Sequence, residues 1–121
     1  MTEPRQHLGE SGENLACREL VSRGYAILAR RYRTRHGEID IVAKDADTIV
    51  FVEVKLKTSP EFGCAAESVT RWKQRRVAAM AVDYLARNRL TNHPCRFDVV
   101  AIDVLESGSL RVVVIPSAFD V

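Results

Sequence analysis

The sequence predicts an α/β fold: a central mixed five-stranded sheet flanked by helices, in the order helix, three strands, helix, two strands. Three observations carry this. Two apolar runs, Gly37–Val42 and Ile49–Lys55, lie close together and have the period of strands. A stretch from about Ala66 to Asn88 repeats its apolar residues at helical spacing. A second pair of strand-like runs, Arg96–Asp103 and Leu110–Ile115, follows it.

Taken in order, residues 1–10 read as a flexible arm, and residues 11–121 as a single domain. The first helix begins at Ser11 or Gly12, with Glu13 in its first turn. Its apolar face is Leu15, Ala16, Leu20 and Val21, and Gly24 ends it. Strand one runs from Tyr25 to about Arg33. His36-Gly37 is a turn, and strand two covers about Glu38 to Lys44. Asp45-Ala46-Asp47 is short enough for a hairpin into strand three, Thr48 to Leu56. Residues 58–64 form a loop with Pro60 and Gly63. The second helix buries Val69, Trp72, Val77, Met80, Ala81 and Tyr84 on one face, so Trp72 is expected in the core. Strands four and five are joined by a turn at Glu106-Ser107-Gly108-Ser109.

Composition narrows the function classes. The 121 residues carry a net charge of +2, too small to imply nucleic-acid binding by itself. The distribution is more telling. Arg30, Arg31, Arg33 and Arg35 precede the second strand; Lys55 lies near the end of the third, and Lys57, Arg71, Lys73, Arg75 and Arg76 follow it. Such clusters can meet phosphates, and equally can form a solvated surface. The cysteines, Cys17, Cys64 and Cys95, have no zinc-ligand spacing and fit reduced thiols in or beside the core. No apolar stretch approaches the ~20 residues of a membrane helix. The first ten residues lack a signal-peptide core, so a cytoplasmic location is expected.

The acidic residues suggest chemistry. Strand alternation puts Glu53 and Lys55 on one face, and Glu38 and Asp40 on one face of the neighbouring strand. Charge inside apolar runs is unfavourable unless paired or metal-bound. An Asp on one strand and Glu-x-Lys on the next is the layout of PD-(D/E)xK metal-dependent nucleases. Asp40 and Glu53 are the expected ligands of Mg²⁺ or Mn²⁺, with the Val54 carbonyl as a neutral donor. Lys55 is placed to handle the attacking water or the scissile phosphate. Its two acidic neighbours are expected to favour the ammonium form. The alternative for this pair is an ordinary ion pair on a solvent face.

Glu13 shares a helix face with Ala16, Cys17 and Leu20, which aims it at the sheet; it also suits a helix N-terminus by charge alone. Lys73 falls within the apolar face of the second helix, where it needs an anionic partner or snorkels out. Arg33, Lys57, Arg71, Lys73 and Arg75 are the expected nucleic-acid contacts. Arg96 and Asp98 read as a structural pair near the site.

Together these residues resemble a known family. The motifs are Gly9-x-x-Gly12-Glu13, Gly24-Tyr25, Tyr32-Arg33, Gly37-Glu38-Ile39-Asp40, Phe51-Val52-Glu53-Val54-Lys55, Phe62-Gly63, Val69-Thr70-x-x-Lys73 and Arg96-Phe97-Asp98-Val99. In this order they look like the YraN-type family of small bacterial proteins. The resemblance implies a restriction-endonuclease-like core, similar to the archaeal Holliday-junction resolvases. Glu13, Asp40, Glu53 and Lys55 take the family's motif positions. Two departures stand out: Lys57 where Arg is expected, and Arg31 where Asn is expected. The implied function is a metal-dependent DNA endonuclease acting on branched or structured DNA. The alternative is a nucleic-acid-binding or assembly protein that keeps the fold without turnover. A homodimer would suit a two-fold symmetric junction.

Overall fold

A computed structural model describes residues 4–57 and 70–119, with side chains over 12–56 and 70–118. Helix α1 spans Pro4–Ser22. It is followed by strands β1 (Ala26–Thr34), β2 (Gly37–Asp45) and β3 (Thr48–Lys57). Helix α2 (Arg71–Arg87) leads to β4 (Cys95–Val104) and β5 (Leu110–Phe119). The sheet order is β1-β2-β3-β4-β5. β3 and β4 pair in parallel and the other neighbours antiparallel, so the sheet is mixed as the sequence predicts. The α2 segment lies in the β3–β4 crossover, which a parallel pair requires.

The two helices cover opposite faces. Ala16 and Leu20 of α1 pack on Ile41, Val50, Val52, Val100 and Ile102. Val77, Met80, Ala81 and Tyr84 of α2 pack on Ile39, Val42, Ile49 and Phe51. β3 therefore alternates between two cores and is apolar on both sides, which explains its uninterrupted hydrophobic run. Each such side chain contributes about 1.5–3 kcal/mol when fully buried. Gly12 of α1 faces Ile102, where a Cβ would make van der Waals contact with Cδ1 at 3.4 Å. Gly24 ends α1 with φ 92, a left-handed cap.

Several expectations are corrected. The segment expected to be an arm is helical from Pro4, which suits the first position of a helix. Val21 is exposed rather than part of the apolar face; Leu15 packs there as expected, and Cys17 joins it. Helix α2 starts at Arg71, because the Thr70 side chain caps it by accepting from the Lys73 amide at 3.2 Å. Strand β5 runs past Pro116. Being an edge strand it tolerates proline, and its ladder with β4 shifts between Phe97 and Val99. Trp72 is 66% exposed and lies outside both cores. Cys95 is also exposed, against the expectation of a core or boundary thiol. The loop expected over 58–64, with Cys64 in it, lies outside the described residues.

Candidate functional site: a carboxylate-lined notch between β2 and β3

The site is built by a break in strand alternation. On β1, Ala29 packs toward α2, while Arg30 turns to α1 and donates to Asn14 Oδ1 at 2.8 Å. Arg31 also turns to α1, its Nε donating to Glu13 at 2.7 Å. Tyr32 then returns to the α2 side, where its hydroxyl donates to Asp83 at 2.6 Å. Two successive residues share a side because Arg31 has φ 52, a left-handed backbone rare for non-glycine residues. The paired strand breaks in the same way. Ile39 and Val42 face α2 but Ile41 faces α1, so the alternation skips at Asp40.

Beyond that break β2 and β3 part. Their recorded pairing runs from Asp45↔Thr48 to Ile41↔Val52 and goes no further. The Val54 amide, left without a ladder partner on that side, donates to Asp40 Oδ2 at 2.8 Å. Asp40 thus lies in the gap itself. Glu53 and Lys55 alternate with Val52 and Val54, which face α1, and so project toward α2. Simple strand alternation was expected to bring Asp40 and Glu53 together on one face. The structure brings them together across a notch instead.

The electrostatics are those of crowded buried charge. Glu53 is 5% exposed, and its Oε1 is in direct contact with Lys73 Nζ from α2. Lys55 Nζ stands 3.8 Å from the same oxygen. Burial, then the negative charge of Glu53, pushes the Asp40 carboxyl up to about 7, against the pull of the Val54 amide. Burial, then the Lys73 ammonium, pushes Lys55 below the ordinary lysine value. Glu53 and Asp40 do favour its charged form, as expected, but burial and Lys73 outweigh them. Burial also acts to lower Lys73, but contact with Glu53 outweighs it and the net direction is up.

Glu13 reaches the notch from α1, and Glu38 from the start of β2. One carboxylate oxygen each of Glu13, Glu38 and Asp40 lies within 4.8 Å of the other two. This hard-oxygen donor set fits a divalent cation such as Mg²⁺ or Mn²⁺. A strand residue points its N–H and C=O the same way, so the Val54 carbonyl faces the edge that Asp40 occupies. Arg31 and Arg30 approach Glu13 at 2.7 and 3.7 Å, and Arg33 approaches Glu38 at 3.1 Å.

The remaining predicted residues separate into groups. Lys73 joins the site directly, through Glu53. Arg71 and Arg75 are exposed on the first turns of α2, and Arg33 is 80% exposed at its side chain beside the β1–β2 turn. The Lys57 side chain lies outside the described residues. Arg96 and Asp98 form the expected structural pair, at 3.0 Å, but away from the notch: Arg96 also binds Asp45 and the Tyr25 hydroxyl at the hairpin end of β2. Sequence reasoning missed the part played by Arg76. Its guanidinium bonds the His36 carbonyl at 2.6 Å and lies 4.6 Å from the Trp72 ring centre. The only signal for that contact was the i, i+4 spacing of Trp72 and Arg76.

Fold and site define an α/β protein whose mixed sheet opens into a notch lined by carboxylates and lysines. Residues 12–102 match the family described as uncharacterised protein family UPF0102, and the chain belongs to it. This is the YraN family of the resemblance. A UPF0102 protein of Symbiobacterium thermophilum is 46% identical over 114 residues, covering 94% of this chain and 97% of its own. One from Roseiflexus castenholzii is 45% identical over 122 residues, covering 99% and 98%. One from Geotalea uraniireducens is 48% identical over 95 residues, covering 78% and 75%.

Proposed function

We propose that this protein is a Mg²⁺- or Mn²⁺-dependent endonuclease acting on branched or structured DNA, in the manner of a Holliday-junction resolvase. The observation that carries the reading is the notch. It gathers Asp40, Glu53 and Glu13 with Lys55 and Lys73, where charge is unfavourable for stability and has chemical use. Glu13, Glu38 and Asp40, whose carboxylates converge, would hold the cation with the Val54 carbonyl, and Glu53, which lies outside that group and is engaged by Lys73, would join them once released. When bound, the cation supplies Lewis-acid stabilisation of phosphoryl charge and lowers the pKa of water. Lys55, with its proton loosened by burial, relays a proton near the scissile phosphate or binds the charge that develops there. Lys73 holds Glu53 in the absence of substrate and is the natural cation to meet a phosphate. Arg33, Lys57, Arg71 and Arg75 bind the backbone without reading sequence. The protein acts in the cytoplasm, and a homodimer presents two notches to a symmetric junction. No helix among the described residues is long and apolar enough to cross a membrane.

One observation favours a second reading, a nucleic-acid-binding or assembly protein without turnover. Lys73 on Glu53, and Arg31 on Glu13, already neutralise two of the carboxylates. Titration calorimetry with Mn²⁺ tests the choice. Weak binding by the wild type, lost in an Asp40→Asn/Glu53→Gln double variant, supports the metal site. Equal binding by both proteins rejects these ligands.

A further inference from the structure

The notch continues into a hollow that the proposed chemistry does not use. It has a volume of about 260 Å³ and lies between the β1–β2 turn and the first turns of α2. Glu38 and Lys73, both at the carboxylate site, form one wall. Val77 and Met80 give it an apolar floor, and Trp72 stands on its rim. Trp72 is 66% exposed, so much of its side chain is open to a ligand.

The ring is held in place rather than left loose. Arg76 lies 4.6 Å from its centre and is anchored by the His36 carbonyl. Gly37 makes room for that arginine: a Cβ there would come within 2.7 Å of Arg76 Nη2. At φ 131, Gly37 also adopts a backbone that other residues rarely take. The turn, the arginine and the indole thus form one connected set of contacts.

A second hollow, of about 430 Å³, adjoins the first at His36 and is lined by Arg33, Arg35 and Arg87. Cations outnumber acids around the two hollows: Arg33 and Arg87 pair with the lining acids Glu38 and Asp83, Arg35 and Lys73 line the hollows as well, and exposed Arg71 and Arg75 lie on the neighbouring turns of α2. This charge suits a phosphate backbone and disfavours a basic or purely apolar partner.

We infer that the hollow beside Trp72 is a base-binding subsite, in which one unpaired nucleobase of the DNA strand stacks on the indole while its backbone follows the arginines. The inference deepens the proposed function and rests on it for the position of the strand at the carboxylates. A base in an intact duplex has both faces occupied by its neighbours. An aromatic platform beside a cationic track therefore selects unpaired or junction-flanking nucleotides.

Trp72 is the one tryptophan of the chain, so its fluorescence reports this subsite alone. The test uses the full-length protein in EDTA, where binding is separated from cleavage. Three probes are titrated: a short oligothymidylate, an abasic strand of equal length, and a blunt duplex. Affinities come from the anisotropy of labelled strands. Oligothymidylate should quench the indole, whereas the abasic strand should bind through its phosphates without quenching. Trp72→Ala should weaken oligothymidylate about tenfold, the effect of losing one stacked base. It should leave the abasic strand unaffected, and Trp72→Phe should retain most of the affinity. Equal quenching by the abasic strand, or full oligothymidylate affinity in Trp72→Ala, overturns the subsite and leaves the nuclease reading standing. Selective quenching by a protein that never cleaves DNA in Mn²⁺ keeps the subsite and overturns turnover. Failure of every probe to bind overturns both.

Discussion

The Asp40 carboxylate accepts the Val54 amide at 2.8 Å, at the point where β2 and β3 cease to pair. A side chain stands in for a strand, filling the backbone bond that the missing ladder would have made. The same contact holds Asp40 in a buried position beside Glu53, where its charge is unfavourable. Burying that charge costs stability, which the proposed cation would offset.

Asp40→Asn separates these two effects. The amide oxygen still accepts from Val54, and the buried charge is gone. Without divalent cation the variant should be more stable than the wild type at pH 8, by about 1–2 kcal/mol in urea unfolding. In excess Mn²⁺ the order should narrow or reverse, because only the wild type gains from binding. A variant less stable than the wild type in EDTA contradicts the placement of Asp40.

The pH dependence follows from the same group. Asp40 titrates at about 7 in the folded protein, against 3.8 for the ordinary side chain. The folded state therefore holds this proton more tightly. Its contribution to stability is complete below the unfolded value and is lost as pH rises through about 7. In EDTA the wild type should lose stability relative to Asp40→Asn across that window. Parallel pH profiles for the two proteins would contradict the shift.

Lys73 is the cation that keeps Glu53 buried. Among the described residues, Lys73→Met leaves Lys55, 3.8 Å away, as the remaining cation paired with Glu53. A broken buried pair loses several kcal/mol; with Lys73 37% exposed and Lys55 still present, about 2 kcal/mol is expected. Mn²⁺ should then raise the melting temperature of the variant more than that of the wild type, because Glu53 is freed for the cation. An equal Mn²⁺ shift in both proteins would show that Glu53 is not a ligand.

Much of this was legible in the sequence. The apolar runs around Glu53 marked a strand buried on at least one face, and Glu53, Lys55 and Asp40 stood out as charges within such runs. Lys73 was legible too, as a lysine on an apolar helix face that needed an anion. The break in alternation was not. It depends on the left-handed backbone of Arg31, and an arginine gives no sign of that conformation. Asn, which the resemblance led us to expect at that position, tolerates left-handed backbone well. Trp72 was misread because periodicity alone assigns a large apolar residue to the core. Its Arg76 partner, and the room left by Gly37 for that arginine, exist only in three dimensions.

Binding and chemistry should come apart in two sets of variants. Lys55→Ala should abolish cleavage while reducing DNA affinity only modestly, because it meets charge that develops at one phosphate. Arg71→Ala and Arg75→Ala should weaken binding to all sequences and lower the salt slope by about one each. Circular dichroism checks that each variant is folded. Full Mg²⁺-dependent activity in Lys55→Ala would remove this residue from the chemistry.

The most direct measurement is cleavage itself. The wild type and Glu53→Ala are incubated with single strands, duplexes, flaps and four-way junctions in Mg²⁺ or Mn²⁺. The notch predicts metal-dependent nicking of branched or structured DNA by the wild type, no product in EDTA, and none from Glu53→Ala. Absence of product from every substrate with either metal, or undiminished cleavage by Glu53→Ala, would contradict a nuclease centre between β2 and β3.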